Sequence, residues 1–344
     1  MKRSVKAVMV TAVAMALGGV GSSVNAATLY EEEGTQLDVY GRIAMGVAGG
    51  GPEVNAAGQE VNNSAEFVDM YSRLGFRMSQ RINNDISAFG RLEWRFTGDE
   101  RNTAQGFNEI RQSYLGLESE RYGTLQAGNF DSFYYQFVSA PFDVYLDRGQ
   151  QFSSTGLQSR GDSVGYYTPE LNGFTAFVQL KQYSERGLTD AEQQNEGSVV
   201  AAQGGVRYQH GPLSVGVGAV EDVVRGGGNG EMLYGVIGSY QATDSISARL
   251  GTEWQEQNAQ YGGGYETVGL GATYVTGPWA FTADYYRINR DNQGNSNAWA
   301  AGSYYKLSSA FNVFIELANS DAPGLAQRDG LKDAYWLTGA RYHF

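Results

Sequence analysis

The segment "FGRLEWRF" (residues 89–96) alternates charged and apolar residues one by one. Arg91, Glu93 and Arg95 are separated by a leucine and a tryptophan, and a phenylalanine follows. Because successive side chains of a β-strand leave opposite faces, this pattern predicts a strand with one charged face and one apolar face.

The same alternation recurs along the chain, which predicts a sheet of many similar strands. It is clear in residues 37–47, 71–79, 279–286 and 311–317. Tight connections such as residues 210–212 and 276–278 alternate with longer polar or Gly-rich connections, which is typical of an up-and-down meander. The count predicts about sixteen antiparallel strands, at roughly twenty residues for each strand and its connection.

One predicted connection is much longer than the others. It follows the strand "GTLQAGNF" and runs from about residue 129 to residue 160 before alternation resumes at "DSVGYY". It is rich in aromatic residues, which a freely solvated loop does not favour. A connection of this length needs a function, and we expect it to fold against another part of the protein.

The composition supports a membrane barrel over a soluble enzyme. The chain has 47 Gly, 23 Tyr and 16 Phe but 6 Pro, and after residue 21 it has no long apolar segment. A closed β-barrel can cross a membrane with such a sequence, since its strands need apolar side chains only at alternate positions. Trp336, Tyr342 and Phe344 share one face of the last predicted strand, as in an aromatic membrane-interface girdle.

The N-terminal residues resemble an export signal. Lys2, Arg3 and Lys6 precede an apolar run over residues 7–21, and small residues follow. This pattern predicts a signal peptide at residues 1–26, cleaved after Ala26, and a transmembrane barrel domain at residues 27–344. Loss of three positive charges would change the net charge from −12 to −15. Such an acidic chain repels nucleic acid, so no nucleic-acid partner is expected.

Several motifs, taken in order, resemble the general diffusion porins of Gram-negative bacteria. They are "VYGRIAMG", "SRLGFRMSQRINNDISAFGRLEWRF", "RQSYLGLESERYGTLQAGNFDSFY", "DSVGYYTPELNGFTAFVQL" and the final "GARYHF". The resemblance implies an all-β, sixteen-stranded transmembrane barrel in the cell outer membrane, usually a homotrimer. It also implies that the third long loop, at residues 129–160, folds into the lumen and narrows the pore. Outer-membrane lipid and lipopolysaccharide would surround the barrel.

In this family, basic residues of the barrel wall face acidic residues of the inward loop. Arg42, Arg73 and Arg111 match family motifs, and the alternation places Arg91, Glu93 and Arg95 on the same face. The predicted pore-wall basic residues are Arg42, Arg73, Arg91, Arg95, Arg111 and Arg160, and the predicted pore-lining acidic residues are Glu93, Asp131, Asp143 and Asp147.

The chain departs from the family pattern at two places. The Pro-Glu-Phe-Gly-Gly element of the enterobacterial loop is absent, and "APFDVYLDRGQ" stands in its place. Gly165 lies where many relatives carry an arginine, so one member of the basic row is expected to be missing.

The predicted function is passive diffusion of ions and small hydrophilic solutes through a water-filled pore. Opposed arginines and carboxylates would create a transverse field, and the net charge of −15 predicts weak cation selectivity. A substrate-selective porin that binds an oligosaccharide or similar solute along the loop aromatics is the alternative. No catalytic residues, metal site or cofactor are predicted, since the chain has no cysteine and His210 and His343 have no nucleophile in a matching pattern.

Overall fold

A computed structural model of the chain describes residues 26–51, 53–54, 60–61, 64–99, 106–152, 158–195, 199–259, 261–319 and 334–344. Residues 1–25, which hold all but the last residue of the predicted signal peptide (1–26), lie outside the described residues. Within the described part of the chain, no helix combines the length and the apolar composition needed to cross a membrane.

The described residues are mostly β-strands. The strands are β1 (Ala27–Glu32), β2 (Thr35–Gly50), β3 (Glu53–Val54), β4 (Glu60–Val61), β5 (Glu66–Asp69), β6 (Arg73–Arg81), β7 (Ile86–Phe96), β8 (Phe107–Ser119), β9 (Gly123–Asn129), β10 (Asp162–Tyr167), β11 (Phe174–Gln182), β12 (Val200–His210), β13 (Leu213–Asp222), β14 (Glu231–Gln241), β15 (Ile246–Asn258), β16 (Gly263–Thr276), β17 (Trp279–Arg290), β18 (Ser296–Lys306), β19 (Phe311–Asn319) and β20 (Tyr335–His343). The helical segments are a π-helical turn at Tyr135–Ser139, 3-10 turns at Ala140–Phe142 and Val224–Gly226, and a short α-helix, α1, at Asp190–Asn195.

Sixteen strands close into an antiparallel barrel, as the sequence predicts. From β6 to β20, each strand pairs with the next, and β2 closes the ring by pairing with β6 on one edge and β20 on the other. The sheet has eighteen strands in all, because β5 extends the β6 edge of β2 and β1 extends the β20 edge. Closure pairs each of the sixteen barrel strands on both sides, so their backbones find hydrogen-bond partners laterally.

The two faces of the barrel wall are inverted relative to a soluble protein. Leu115, Leu250 and Leu270 are 59–68% exposed on the outer face, whereas Glu93 and Glu253 are at most 1% exposed on the inner face. An apolar outer surface and a polar inner surface suit lipid outside and water inside. The alternation therefore describes a transmembrane barrel.

The long connection between β9 and β10 spans residues 130–161, and we call it the inner loop. Near its start the loop forms two consecutive helical turns, the π-helical turn at Tyr135–Ser139 and the 3-10 turn at Ala140–Phe142. The N–H of Phe133 donates to Gln179 (2.9 Å) and that of Tyr134 donates to Gln203 (2.7 Å). Both glutamines are buried on the inner face of β11 and β12, so the inner loop lies against the lumen side of the wall.

Candidate channel lining and constriction

Glu93 is the centre of a charged cluster on the inner wall. Its carboxylate accepts hydrogen bonds from Arg111 (2.6 Å), Arg91 (2.8 Å) and Arg73 (3.3 Å), and from the Tyr40 hydroxyl (2.8 Å). Three guanidinium groups thus share one buried carboxylate. The planar donor fork of arginine makes such sharing possible, which a lysine could not reproduce.

A second set of ion pairs connects the wall with the start of the inner loop. Arg111 donates to Asp131 (3.0 Å) from the guanidinium nitrogen that does not reach Glu93, and Gln112 donates to the same carboxylate (2.6 Å). Arg160 pairs with Glu109 and approaches Asp131 (3.6 Å). The beginning and the end of the inner loop are therefore both tied to the arginine-bearing strands.

Strand register explains why these arginines lie together. Arg42 of β2 is the partner of Arg73 in β6, and Arg73 is the partner of Arg95 in β7. Like charges directly opposite each other destabilise a sheet. Glu93 and Glu109, which accepts from Arg95 (3.5 Å), offset part of that repulsion. We call the five predicted basic residues that lie on barrel strands the arginine wall: Arg42, Arg73, Arg91, Arg95 and Arg111. The sixth, Arg160, was predicted on the pore wall but lies in the inner loop, two residues before β10.

Arg42 differs from the other members because it donates to backbone. Its Nε contacts the carbonyl of Tyr71 (3.1 Å) and its Nη2 contacts that of Met70 (3.2 Å). Arg341 lies in the same region, since its partner in β2 is Ala44, and it is buried. The sequence prediction omitted Arg341, although it has the same parity as the lumen-facing His343.

The four predicted acidic residues fall into two groups. Glu93 and Asp131 contact the arginine wall, as described above. Asp143 instead accepts the hydroxyl of Tyr135, and burial raises the pKa of Asp143 above its ordinary value. Asp147 accepts the hydroxyls of two wall tyrosines, Tyr335 (2.5 Å) and Tyr71 (3.1 Å).

Aromatic side chains anchor the first half of the inner loop. Phe133, Tyr134 and Phe142 are buried, and the Tyr134 hydroxyl donates to Glu253 (2.8 Å). Phe133 fills the space above Gly165, where an added Cβ would come within 2.5 Å of the phenylalanine ring. The arginine that the family pattern suggests at this position would collide with the loop.

Polar wall residues hold the middle of the inner loop, residues 145–147, which we call the loop tip. The Tyr145 hydroxyl donates to Asp284 (2.6 Å), which is also paired with Arg249. The N–H of Leu146 donates to Glu316 (2.8 Å). Sequence reasoning missed Asp284, Arg249 and Glu316 as loop contacts, although alternation had placed Asp284 and Glu316 on the polar face.

The model of the family described as Gram-negative porin matches residues 10–325. The chain belongs to the Gram-negative porin family. This porin is therefore a channel for diffusion across the outer membrane, with transmembrane β-strands.

Several relatives of this chain are themselves named as porins. A monosaccharide porin of a Halomonas species is 26% identical over 79% of this chain and 76% of the relative. Outer membrane porin F of Xenorhabdus nematophila is 25% identical over 80% of this chain and 66% of the relative. A shorter match, to outer membrane porin F of Escherichia coli, is 32% identical over 37% of this chain and 33% of the relative.

Solved structures show the same fold. The Salmonella typhi OmpF complex with daunomycin superposes with a TM-score of 0.69 at 15% identity, covering 92% of this chain and 100% of that one. An anion-selective porin from Comamonas acidovorans superposes with a TM-score of 0.67 at 20% identity, covering 90% and 100%. At this level of identity the likeness concerns the fold of the barrel alone.

Proposed function

We propose that this porin passes ions and small hydrophilic solutes through a water-filled aperture between the arginine wall and the inner loop. The observation that carries the proposal is the attachment of the loop to the polar inner face of the barrel, through Gln179, Gln203 and Glu316. A sixteen-stranded barrel is wide enough to hold water, and a loop across its lumen narrows the path.

The wall and the loop carry different charges, which supports a transverse field. The arginine wall supplies five guanidinium groups, whereas Asp131, Asp143 and Asp147 belong to the loop, which also carries Arg148 and Arg160. A dipolar solute can align in such a field, whereas an apolar solute gains nothing from it. Small polar solutes are therefore the expected cargo.

Two counts of charge predict opposite ion preferences. The net charge of −15 without residues 1–26 predicts weak cation selectivity. Near the constriction, however, the six predicted arginines are accompanied by five carboxylates, those of Glu93, Glu109, Asp131, Asp143 and Asp147, so positive charge is in slight excess there. Charges farther than about 10 Å are screened at 0.1 M salt, so we propose that the local charges decide and favour anions.

A planar-bilayer recording across a KCl gradient tests both the channel and its ion preference. The reversal potential gives the sign directly, and a cation-selective value would favour the net-charge prediction. Replacing Asp143 and Asp147 together by Asn should shift the reversal potential toward anions, whereas Arg73→Gln should shift it toward cations. Arg186→Gln removes the same charge from an exposed loop position and is the matched control. A chain that inserts without conducting contradicts the proposed function.

A substrate-selective porin is the second candidate, and the relative named a monosaccharide porin supports it. The burial of Tyr134, Tyr135 and Phe142 speaks against a solute track along these loop aromatics, because their rings pack against protein. Micromolar block of the current by a monosaccharide would support this candidate. Absence of block up to millimolar concentration supports general diffusion.

We further propose that the porin is a homotrimer embedded in outer-membrane lipid and lipopolysaccharide. The support is family membership together with the apolar outer face of the barrel. Sedimentation in detergent and the mobility of unheated samples on gels test the assembly. A monomeric mass in mild detergent would contradict it.

A further inference from the structure

The strand formed by β5 and β6 contains a bulge next to Arg42. Asp69 is the partner of Met45, and Arg73 is the partner of Arg42. Three residues of this strand, Met70, Tyr71 and Ser72, therefore oppose two residues of β2. One extra residue bends a strand and redirects a side chain, and such bulges are frequent next to functional sites.

Specific hydrogen bonds replace the ladder at the bulge. The N–H of Ala44 donates to the Ser72 hydroxyl (3.1 Å), and the N–H of Ser72 donates to the carboxylate of Asp69 (2.8 Å). Arg42 satisfies the carbonyls of Met70 and Tyr71. The side chains of Arg42, Asp69 and Ser72 therefore stabilise the bulge by specific hydrogen bonds.

Tyr71 adopts a backbone conformation that a bulky residue rarely accepts. Its φ is +59°, in the left-handed region, where glycine is normally found. The chain has 47 glycines, yet a tyrosine occupies this position. Strain of this kind persists where the side chain has a role that offsets it.

The side chain of Tyr71 joins the wall to the tip of the inner loop. On the wall side, the guanidinium of Arg95 lies 4.5 Å from the centre of its ring. On the loop side, its hydroxyl donates to Asp147 (3.1 Å). The side chain is still 37% exposed, so part of the ring faces the lumen.

The loop and the wall therefore meet at two places, at either end of the segment from Asp131 to Asp147. At one end, Arg111 pairs with Asp131 at the start of the loop (3.0 Å). At the other end, Tyr71 reaches Asp147 at the loop tip. Between these contacts, the loop is hydrogen-bonded to side chains of strands β11, β12, β17 and β19.

We propose that Tyr71 is a specificity-determining residue of the channel, whose ring forms one edge of the aperture and limits the size of the solutes that pass. This inference rests on the proposed function. The inference assigns the size limit at that edge to Tyr71, a wall residue. The same residue holds the loop tip through its bond to Asp147. A solute passing the aperture would slide along the exposed part of the ring.

Single-channel recording of Tyr71→Gly tests the inference. Glycine accepts the left-handed backbone, which offsets part of the loss of the Arg95 and Asp147 contacts, so the variant should still fold as a barrel. Thermal unfolding in detergent separates the size effect from loss of folding. The conductance should rise by roughly one and a half- to twofold as the edge of the opening recedes. Neutral polyethylene glycols that are excluded from the wild-type pore should enter the variant.

Tyr335→Phe is the matched control. It removes the other hydroxyl bond to Asp147 and leaves the bulge and the Tyr71 ring in place. We expect the wild-type size limit in this variant. A Tyr335→Phe pore as wide as that of Tyr71→Gly would overturn the inference, because loop attachment in general would then set the limit.

Tyr71→Cys gives an independent measurement, since the chain has no other cysteine. A thiol reagent added to the open channel should reduce the current, and the reduction should be larger for a bulkier reagent. A Tyr71→Gly pore with wild-type conductance and size limit contradicts the inference and leaves the channel intact. A wild-type chain that forms no channel contradicts the proposed function instead.

Discussion

At the scale of single residues, Glu93 shows how the charged lining holds together. Its buried carboxylate lies among Arg73, Arg91 and Arg111, and the Tyr40 hydroxyl adds a fourth donor. Alternation in the sequence placed Glu93 among arginines on one face. It did not show that Glu93 is the shared partner of three of them, because this depends on the register of β6, β7 and β8.

We expect Glu93→Gln to destabilise the folded barrel. The substitution leaves three guanidinium groups close together without their common counter-charge, and removing one partner of a buried ion pair costs about 3 kcal/mol or more. Resistance of the purified protein to heat in detergent measures the effect. Glu118→Gln, at an exposed position of the same sheet, is the control and should behave as the wild type.

The raised pKa of Asp143 predicts that the stability of the folded protein depends on pH. Burial raises its pKa in the folded protein, so the proton binds more tightly to the folded than to the unfolded chain. The stabilisation is fully present below the unfolded pKa of about 3.9, and it is lost as the pH rises through the folded pKa. Asp143→Asn should remove this part of the pH dependence. Unfolding curves at several pH values measure it, and identical pH profiles would contradict the expectation.

At the scale of elements, the inner loop and the wall fit each other through glycines and aromatics. Phe133 lies over Gly165, and the hydroxyl of Tyr134 lies where a Cβ of Gly235 would be. The aromatic composition of residues 131–159 predicted that the loop packs against something. The partner surface was not predictable, because a glycine in a strand pattern does not reveal what approaches it.

Gly165→Ala should weaken the contact between the inner loop and the wall. The added methyl would approach the ring of Phe133 to 2.5 Å, and overpacking of this kind costs about 1–3 kcal/mol. Gly90→Ala is the matched control, since a Cβ at this strand glycine would meet its nearest neighbour at 3.4 Å. Thermal unfolding in detergent compares the two, and equal losses would contradict the packing account.

At the scale of the whole molecule, the placement of apolar side chains on the outer face and polar side chains on the inner face of the barrel can be tested directly. Leu250 in β15 and Leu171 in the turn after β10 are exposed to the same extent, 60% and 61%. Arginine at a lipid-facing position near the middle of the bilayer costs about 2–4 kcal/mol. Leu250→Arg should therefore destabilise the inserted barrel, whereas Leu171→Arg should have little effect. Folding into lipid vesicles measures both, and equal tolerance would contradict lipid around β15.

The sequence by itself determined the barrel and its inverted faces, because the period of two is a local property of each strand. Local pattern also placed most of the arginine wall and Glu93 on one face. The tertiary structure alone decided which of these residues meet. Tyr71 and Asp147 are 76 positions apart, and Tyr134 and Glu253 are 119 apart. Such contacts follow from strand register, barrel closure and the path of the inner loop, and no local pattern encodes these.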